Sequence, residues 1–140
     1  GNLQSLFPER RVAVGFKASS REQLAALIRD NDLIFIFPHQ IQLMTGKSVD
    51  LFLAVDCLHE MTKATIDDYF SQIDRLALNF YMKVWNRTRV RFDLHHLTRD
   101  DYPVRPHWEK IFDEACVFPS NFSEMGYRLP PAKRDFSPIA

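Results

Sequence analysis

Apolar positions along this chain form two patterns, short continuous runs and longer runs with helical spacing. The continuous β-prone runs predict strands at 11–16, 33–37, 49–55 and 78–85. Little alternation within the run at 49–55 predicts a strand that is buried on both faces. Towards the end of the chain, two further runs separated by Pro-Ser-Asn predict an antiparallel hairpin from 115–118 and 122–129.

Helical spacing of apolar residues predicts two helices and a shorter helical piece. The first helix begins at a capping box formed by Ser19 and Glu22 and ends near Asp30. Thr62 caps the second helix, whose apolar stripe consists of Ile66, Tyr69, Phe70, Ile73, Leu76 and Ala77. The short helical piece is predicted at 108–112.

The order of these elements predicts an α/β fold. Strands with little alternation that are separated by helices are typical of a largely parallel sheet with both faces covered. The closing hairpin adds an antiparallel part to that sheet. The chain contains no repeat and no second domain by its pattern, so we predict a single domain over residues 1–140, with a poorly ordered tail at 130–140.

A group of titratable residues follows directly after the strand at 49–55. Asp56, Cys57, His59 and Glu60 lie within five positions. In open α/β sheets, ligands bind beyond the carboxyl ends of the strands, because the loops there are free to carry polar groups. This segment is therefore the predicted functional site.

Composition and charge exclude several classes of function. Eighteen basic and 18 acidic residues give a formal net charge of zero, so no net field attracts nucleic acid or an anionic membrane. The short basic stretch at 87–91 indicates a solvated face. No apolar run approaches the length of a membrane span, and no signal-peptide pattern is present. Cys57 and Cys116 lie outside any CxxC spacing, which favours reduced thiols in a cytoplasmic protein and leaves one disulfide open.

Several segments resemble a known family. DLFLAVDCLHEM, YFSQIDR, FYMKVW, DYPVRPHWEKIF and FSEMGYRL, in this order, resemble the sugar O-methyltransferases, which are S-adenosylmethionine-dependent enzymes with a Rossmann-like fold. FPHQIQLMTGKSVDLF resembles the stretch before that family's fourth strand, and the resemblance covers residues 5–129. CLHEM at 57–61 stands where the family has Ser-Phe-x-Glu-Met, and FSE at 122–124 replaces Phe-Phe-Glu, which leaves the role of Glu124 open.

The resemblance implies S-adenosylmethionine as cofactor, yet part of the family's cofactor site is missing. Family members have a glycine-rich loop after the first strand and an acidic residue at the end of the second. This chain has four glycines, at positions 1, 15, 46 and 126, and no G-x-G. By comparison with the family we expect a partial Rossmann-like methyltransferase sheet that corresponds to the carboxyl-terminal half of the enzyme. His39 and Gln40 are predicted to line the adenine side of the cofactor cleft, with a loop-stabilising role as the open alternative.

The resemblance also gives roles to the residues at the strand ends. His59 and Glu60 are predicted as a general base pair that removes a proton from a sugar hydroxyl during methyl transfer. In the alternative, Glu60 bonds the backbone at the helix start and His59 packs at the sheet edge. Asp56 is predicted to contact substrate or the cofactor amine, or to cap the helix at Thr62. Lys83 and Trp85 are predicted to bind substrate, although a strand-end aromatic residue is often part of the core or its rim.

Metal-dependent functions have weaker support. The zinc-protease motif needs a second histidine at position 63, where this chain has Lys63. His95, His96 and His107 lack a fourth ligand at a recognised spacing, so no metal site is predicted.

Three functions are compatible with these observations. The first is a methyltransferase domain that acts on a sugar hydroxyl, of which this chain is the substrate-side half. The second is a non-catalytic methyltransferase-like module for binding or assembly, and the third is an unrelated α/β protein that binds a small molecule. A glycine-rich loop encoded directly upstream would favour the first. Because the missing strands would leave an exposed edge beside Asp56, with Leu51, Leu53 and Val55 uncovered, we also expect a homodimer.

Overall fold

The computed structural model describes residues 5–15, 18–88 and 97–131 and has a mixed α/β architecture, as predicted. The strands are β1 Val12–Val14, β2 Leu33–Phe35, β3 Val49–Val55, β4 Ala77–Trp85, β5 Glu109–Ala115 and β6 Phe122–Arg128. The α-helices are α1 Arg21–Asp30 and α2 Lys63–Leu76, and short 3-10 helices span Pro38–Leu43, Leu58–Glu60 and Arg99–Asp101. No helix among the described residues is long and apolar enough to cross a bilayer.

Contacts divide the chain into two compact units, residues 1–45 and 46–140. The prediction of a single domain stays a prediction, since two units of contact can belong to one domain. The predicted tail at 130–140 lies outside the described residues from position 132 onwards.

The first unit contains a parallel pair of strands joined by a helix. β1 pairs with β2, and Val12 lies opposite Leu33. Helix α1 begins at Ser20, whose side chain accepts a hydrogen bond from the Gln23 backbone, and the Gln23 side chain accepts in return from the Ser20 backbone. The predicted box at Ser19 and Glu22 was therefore wrong by one residue. An amide oxygen at Gln23 serves this role as well as a carboxylate does.

The second unit contains a four-stranded sheet in the order β3-β4-β6-β5. β3 and β4 are parallel and connected through α2, and β6 pairs antiparallel with both β4 and β5. The predicted combination of parallel strands with a carboxyl-terminal hairpin is confirmed, but the first strand of the hairpin is β5 at Glu109–Ala115 and not the predicted 115–118. The predicted helical piece at 108–112 is wrong, because most of it lies in β5, where Glu109 pairs with Arg128 of β6.

Helix α2 covers one face of this sheet with an apolar core. Phe70 and Ile73 of α2 are fully buried against Phe80 and Met82 of β4. The rings of Phe70, Phe80 and Trp108 pack at centroid distances of 5.5–5.7 Å. Each such buried side chain contributes roughly 1.5–3 kcal/mol relative to an exposed one. This core fixes the carboxyl ends of β3 and β4 in space.

The other face of the sheet is open along β3. Leu51, Leu53 and Val55 are 50%, 59% and 53% exposed, so the prediction of a strand buried on both faces was wrong for this face. β3 is also the end strand of its sheet. The predicted exposed edge beside Asp56 is therefore present in this unit.

Candidate functional site

The carboxyl ends of the parallel strands β3 and β4 bring Asp56 and Trp85 together. Asp56 follows β3, and its backbone N–H donates to the Lys83 carbonyl of β4 at 2.9 Å. Trp85 is the last residue of β4, and its Nε1–H donates to Asp56 Oδ1 at 2.8 Å. The register of the two strands, Val55 opposite Lys83, is what places the carboxylate beside the indole.

His59 joins this pair from the 3-10 turn Leu58–Glu60. Its Nδ1 lies 3.7 Å from Asp56 Oδ1, and its ring meets the Trp85 ring edge-on at a centroid distance of 6.0 Å. The distance to Asp56 exceeds that of a hydrogen bond but allows an ion pair when the imidazole is protonated. The His59 side chain is 16% exposed and the Asp56 side chain 49%. We call Asp56, His59 and Trp85 the carboxyl-end cluster.

The backbone of Asp56 is in the left-handed region, with φ at 52°. Few residues other than glycine adopt this conformation, and aspartate and asparagine are among those that do. Such a conformation directly after a strand turns the chain sharply into the 3-10 turn that carries His59. Positive φ at a non-glycine residue is enriched at functional sites.

The capping roles considered as alternatives are filled by another residue. Thr62 is the N-cap of α2, and its hydroxyl accepts from the Thr65 backbone N–H at 3.2 Å. Asp56 bonds Trp85 instead. Glu60 is exposed, and its carboxylate has no hydrogen bond within the described part of the chain. The carboxylate that neighbours His59 is thus Asp56, and the predicted role of Glu60 in a base pair stays a prediction.

Lys83 lies on the open face of β4, two residues before Trp85, and is paired. Its Nζ is 3.5 Å from Glu124 Oε1 and 5.6 Å from the centre of the Phe122 ring. Glu124 also accepts from the Cys116 thiol at 3.0 Å. Hydrogen bonding to Cys116, together with the Glu124 carboxylate, raises the pKa of Lys83, so its ammonium is a fixed cation rather than a base.

The sequence did not establish a role for Glu124, which forms the ion pair with Lys83. Its position follows from the antiparallel register of β6, which sets Glu124 opposite Lys83. Only the pairing of β4 with β6, which is not local in sequence, brings the two side chains together. Alternation along the two strands is the signal that would have found the pair, once their register was known.

The two residues predicted to bind cofactor both lie in the first unit. The Gln40 side chain is buried, accepts from the Phe37 backbone N–H at 2.8 Å, and donates to the carbonyls of Gly15 and Ala18 at 2.6 and 2.7 Å. All its polar atoms are engaged, so Gln40 has the loop-stabilising role that was the alternative. His39 is exposed and stacks on Phe37 at 5.8 Å, and its cofactor role stays a prediction.

A second cluster of the same three residue types lies on the covered side of the sheet. Asp74 Oδ1, near the end of α2, accepts from Trp108 Nε1 at 2.6 Å and lies 2.9 Å from His107 Nε2. Burial tends to raise the pKa of Asp74, but the hydrogen bonds from Trp108 and His107 outweigh it, and the net pKa is lowered. We call Asp74, His107 and Trp108 the clamp cluster, because it ties α2 to the segment that enters β5.

Among the described residues, the site contains neither a group of metal ligands nor a disulfide. No group of three potential metal ligands occurs within residues 5–15, 18–88 and 97–131, and His95 and His96 lie outside these ranges. Cys57 and Cys116 are both free thiols. Burial, reinforced by the carboxylates of Glu60 and Asp56, raises the pKa of Cys57, which makes it a poor nucleophile.

Fold and site together define an α/β protein with a polar cluster at the carboxyl ends of neighbouring parallel strands. No protein-family model matches the chain, and no curated protein matches it. The crystal structure of the PH0226 protein from Pyrococcus horikoshii OT3 is similar, with a TM-score of 0.54 and 11% sequence identity. The match covers 93% of this chain and 77% of that chain. At this identity the similarity supports the fold alone, a partial Rossmann-like one.

Proposed function

We propose that the chain provides the acceptor-binding side of an S-adenosylmethionine-dependent O-methyltransferase whose acceptor is a sugar hydroxyl. The observation that carries this proposal is the carboxyl-end cluster, in which a histidine, a carboxylate and an indole meet where α/β folds bind ligands. The resemblance of DLFLAVDCLHEM and FYMKVW to sugar O-methyltransferases supplies the reaction type.

His59 is the proton acceptor in this proposal. Its Nδ1 faces Asp56, and Nε2 has no hydrogen bond to any described residue, so Nε2 is the nitrogen available to a sugar hydroxyl. When Nε2 takes the proton, the imidazolium gains an ion pair with the Asp56 carboxylate, 3.7 Å away. Trp85 holds that carboxylate in place through its Nε1–H. In this proposal the cluster takes the proton of the sugar hydroxyl at His59 Nε2.

Trp85 and Lys83 provide contacts for the sugar itself. The Trp85 ring packs on Phe122 at 4.8 Å, which fixes an aromatic surface at the end of β4. Lys83, two residues earlier on the same face, offers ammonium hydrogens, and its partner Glu124 offers carboxylate oxygens. A ring surface with a few converging polar groups is typical of small-ligand sites.

The described residues do not fit the cofactor. The glycine-rich loops of nucleotide-binding folds use backbone freedom to approach a ligand. The described glycines all have negative φ, and each is packed against a neighbour, Gly15 against Gln40 and Phe35, Gly46 against Arg75, and Gly126 against the Phe112 ring. S-adenosylmethionine therefore remains an implication of the resemblance, and the proposal is confined to the acceptor side.

A second candidate function is a non-catalytic methyltransferase-like module for assembly. The open face of β3 favours it, because Leu51, Leu53 and Val55 form a contiguous exposed apolar row on an edge strand. A module for assembly needs no proton acceptor. The methyltransferase proposal therefore requires the His59 imidazole, and the assembly proposal does not.

The test is methyl transfer from S-adenosylmethionine to a panel of free sugars and methyl glycosides, by the natural polypeptide that contains this chain. We expect a methylated sugar, detected by mass spectrometry, and a rate lowered by about 10²-fold or more in His59→Ala. His107→Ala is the matched control, because it removes the histidine of the clamp cluster instead. Transfer at the wild-type rate by His59→Ala contradicts the catalytic role, and absence of any methylated sugar contradicts the proposed reaction.

A further inference from the structure

The open face of the second unit contains a pocket beside the candidate acceptor site. The pocket has a volume of about 380 Å³ and is lined mainly by apolar and aromatic side chains, among them Leu53, Tyr81, Ile111 and Phe112. An enclosed apolar cavity of roughly 150 Å³ already holds benzene. Ligand pockets in proteins are commonly apolar and of this size. The pocket therefore has room for a small apolar group.

Two irregularities of the sheet form this pocket. The register between β5 and β6 shifts between Lys110 and Phe112, so Ile111 is an extra residue, and it lines the pocket together with Phe112. Phe112 lies opposite Gly126, where a Cβ atom would collide with the Phe112 ring. Bulges re-aim side chains and are enriched next to functional sites, and a glycine inside a strand often marks a close approach. The concave shape thus depends on a bulge and a glycine at specific positions.

The pocket continues into the candidate acceptor site along β4. Tyr81, Lys83 and Trp85 alternate with the buried residues of this strand and therefore face its open side. At about 3.3 Å per residue, Trp85 lies roughly 13 Å along the strand from Tyr81. Lys83 and its partner Glu124 lie between the two. An indole surface, a polar pair and an apolar pocket therefore follow one another along one strand.

This order of surfaces matches a sugar that is joined to an apolar group. We propose that the pocket binds the apolar aglycone of the acceptor, so that the substrate is an aryl or alkyl glycoside rather than a free sugar. The inference rests on the proposed function and names the class of its acceptor. The sugar occupies the surface at Lys83 and Trp85, and the aglycone extends towards Tyr81. Burial of the aglycone adds affinity through the apolar surface that it removes from water.

A second copy of the chain fits this pocket less well. If two copies met here through a twofold axis, each pocket would face the same concave surface and would stay unfilled. The expected homodimer involves β3, whereas Ile111 and Phe112 lie on β5 at the opposite edge of the sheet. A substitution at Ile111 therefore separates the two occupants.

The test is calorimetric titration of the 140-residue chain with a panel of sugars, each as its methyl and its phenyl glycoside. We expect the phenyl glycoside of a bound sugar to bind about tenfold more tightly than the methyl glycoside. Ile111→Asn should weaken binding of the phenyl glycoside about three- to tenfold and leave binding of the methyl glycoside unchanged, which also shows that the variant is folded. Ile28→Asn is the matched control, because Ile28 on α1 is 41% exposed and Ile111 is 48% exposed. We expect it to bind both glycosides like wild type.

Each other outcome contradicts the inference in a distinguishable way. If phenyl and methyl glycosides bind equally to wild type, the sugar site stands but the pocket does not take the aglycone. If the preference for phenyl glycosides survives in Ile111→Asn, the aglycone lies elsewhere. If it survives and light scattering shows that Ile111→Asn turns a dimer into a monomer, a second copy covers the pocket. If no glycoside binds, the inference and the proposed sugar acceptor both fail.

Discussion

The carboxyl-end cluster and the clamp cluster contain the same three residue types in different states. In the clamp cluster, Asp74 accepts from Trp108 at 2.6 Å and lies 2.9 Å from His107. In the carboxyl-end cluster, the indole bond is similar, at 2.8 Å, but the histidine lies 3.7 Å from Asp56. His107 is thus within hydrogen-bond distance of its carboxylate, whereas His59 lies beyond that distance from Asp56.

The surroundings explain this difference. Trp108 of the clamp cluster is buried among Phe70, Phe80 and Tyr127. Its hydrogen bond to Asp74 therefore gives the buried indole N–H a partner. Trp85 instead ends a strand, beside a carboxylate that is half exposed. Position relative to the strand ends, and not residue type, therefore separates a structural cluster from a candidate site.

The largest expected effect that distinguishes the clusters is on stability. Asp74→Asn removes the charge that two donors share, and we expect it to lower the free energy of unfolding by about 1–2 kcal/mol. Asp56→Asn keeps a residue that tolerates positive φ and an oxygen for Trp85, and we expect a loss below about 0.5 kcal/mol. Urea unfolding of both variants at neutral pH measures the difference. Equal losses would contradict the structural assignment of the clamp cluster.

The contribution of Asp74 to the free energy of unfolding is expected to depend on pH. Because folding lowers the pKa of Asp74 below its ordinary value of 3.8, ionised Asp74 stabilises the fold above that value. The stabilisation is lost as pH falls through the lowered pKa of the folded state. We therefore expect the gap between wild type and Asp74→Asn to be full at neutral pH and to close in acid. A gap that stays constant down to acid pH would contradict the lowered pKa.

Which parts of this account the sequence predicts depends on how local their causes are. β3 and its boundaries follow from one continuous apolar run, and Thr62 at the start of α2 is confirmed as the N-cap. These two features require no knowledge of distant contacts. The sequence also predicted a site at the carboxyl ends of the strands, but the contact between Asp56 and Trp85 itself depends on the pairing of β3 with β4.

The features that the sequence did not predict depend on pairing between distant segments. The segment 108–112 has apolar spacing compatible with a helix, yet its residues from 109 onwards belong to β5, because β6 supplies backbone hydrogen-bond partners along that strand. The pair of Lys83 and Glu124 depends on that same hairpin register. The two roles considered for Gln40 could not be separated for the same reason, since its side chain bonds the distant backbone of Gly15 and Ala18 as well as the neighbouring Phe37 N–H.

Self-association is expected on one side of the sheet and not on the other. The open face beside the carboxyl-end cluster exposes Leu51, Leu53 and Val55, whereas the clamp side is covered by α2. We expect a homodimer through the open face, with twice the monomer mass of 16.4 kDa in light scattering. Leu53→Lys should restore the monomer, and Ile28→Lys, which changes an exposed apolar residue of α1, should not. A wild-type mass of 16.4 kDa at micromolar concentration contradicts the dimer.

The smallest expected effect is that of S-adenosylmethionine on this chain alone. The carboxyl-end cluster supplies acceptor contacts, and neither cluster supplies the glycine-rich backbone donors of a cofactor loop. We therefore expect calorimetric titration of the 140-residue chain to show weak binding or none. Low-micromolar binding would show that the described residues contain a cofactor site of a different kind.

The two tryptophans allow the most direct test of the acceptor site, because each cluster contains one indole N–H that donates to its own aspartate. A nitrogen–proton correlation spectrum of the chain shows both signals at once, and methyl glycosides are then titrated. The account predicts that the Trp85 signal shifts in a saturable way while the Trp108 signal stays in place. If neither signal moves, or if Trp108 moves while Trp85 does not, the carboxyl-end cluster is not the sugar site.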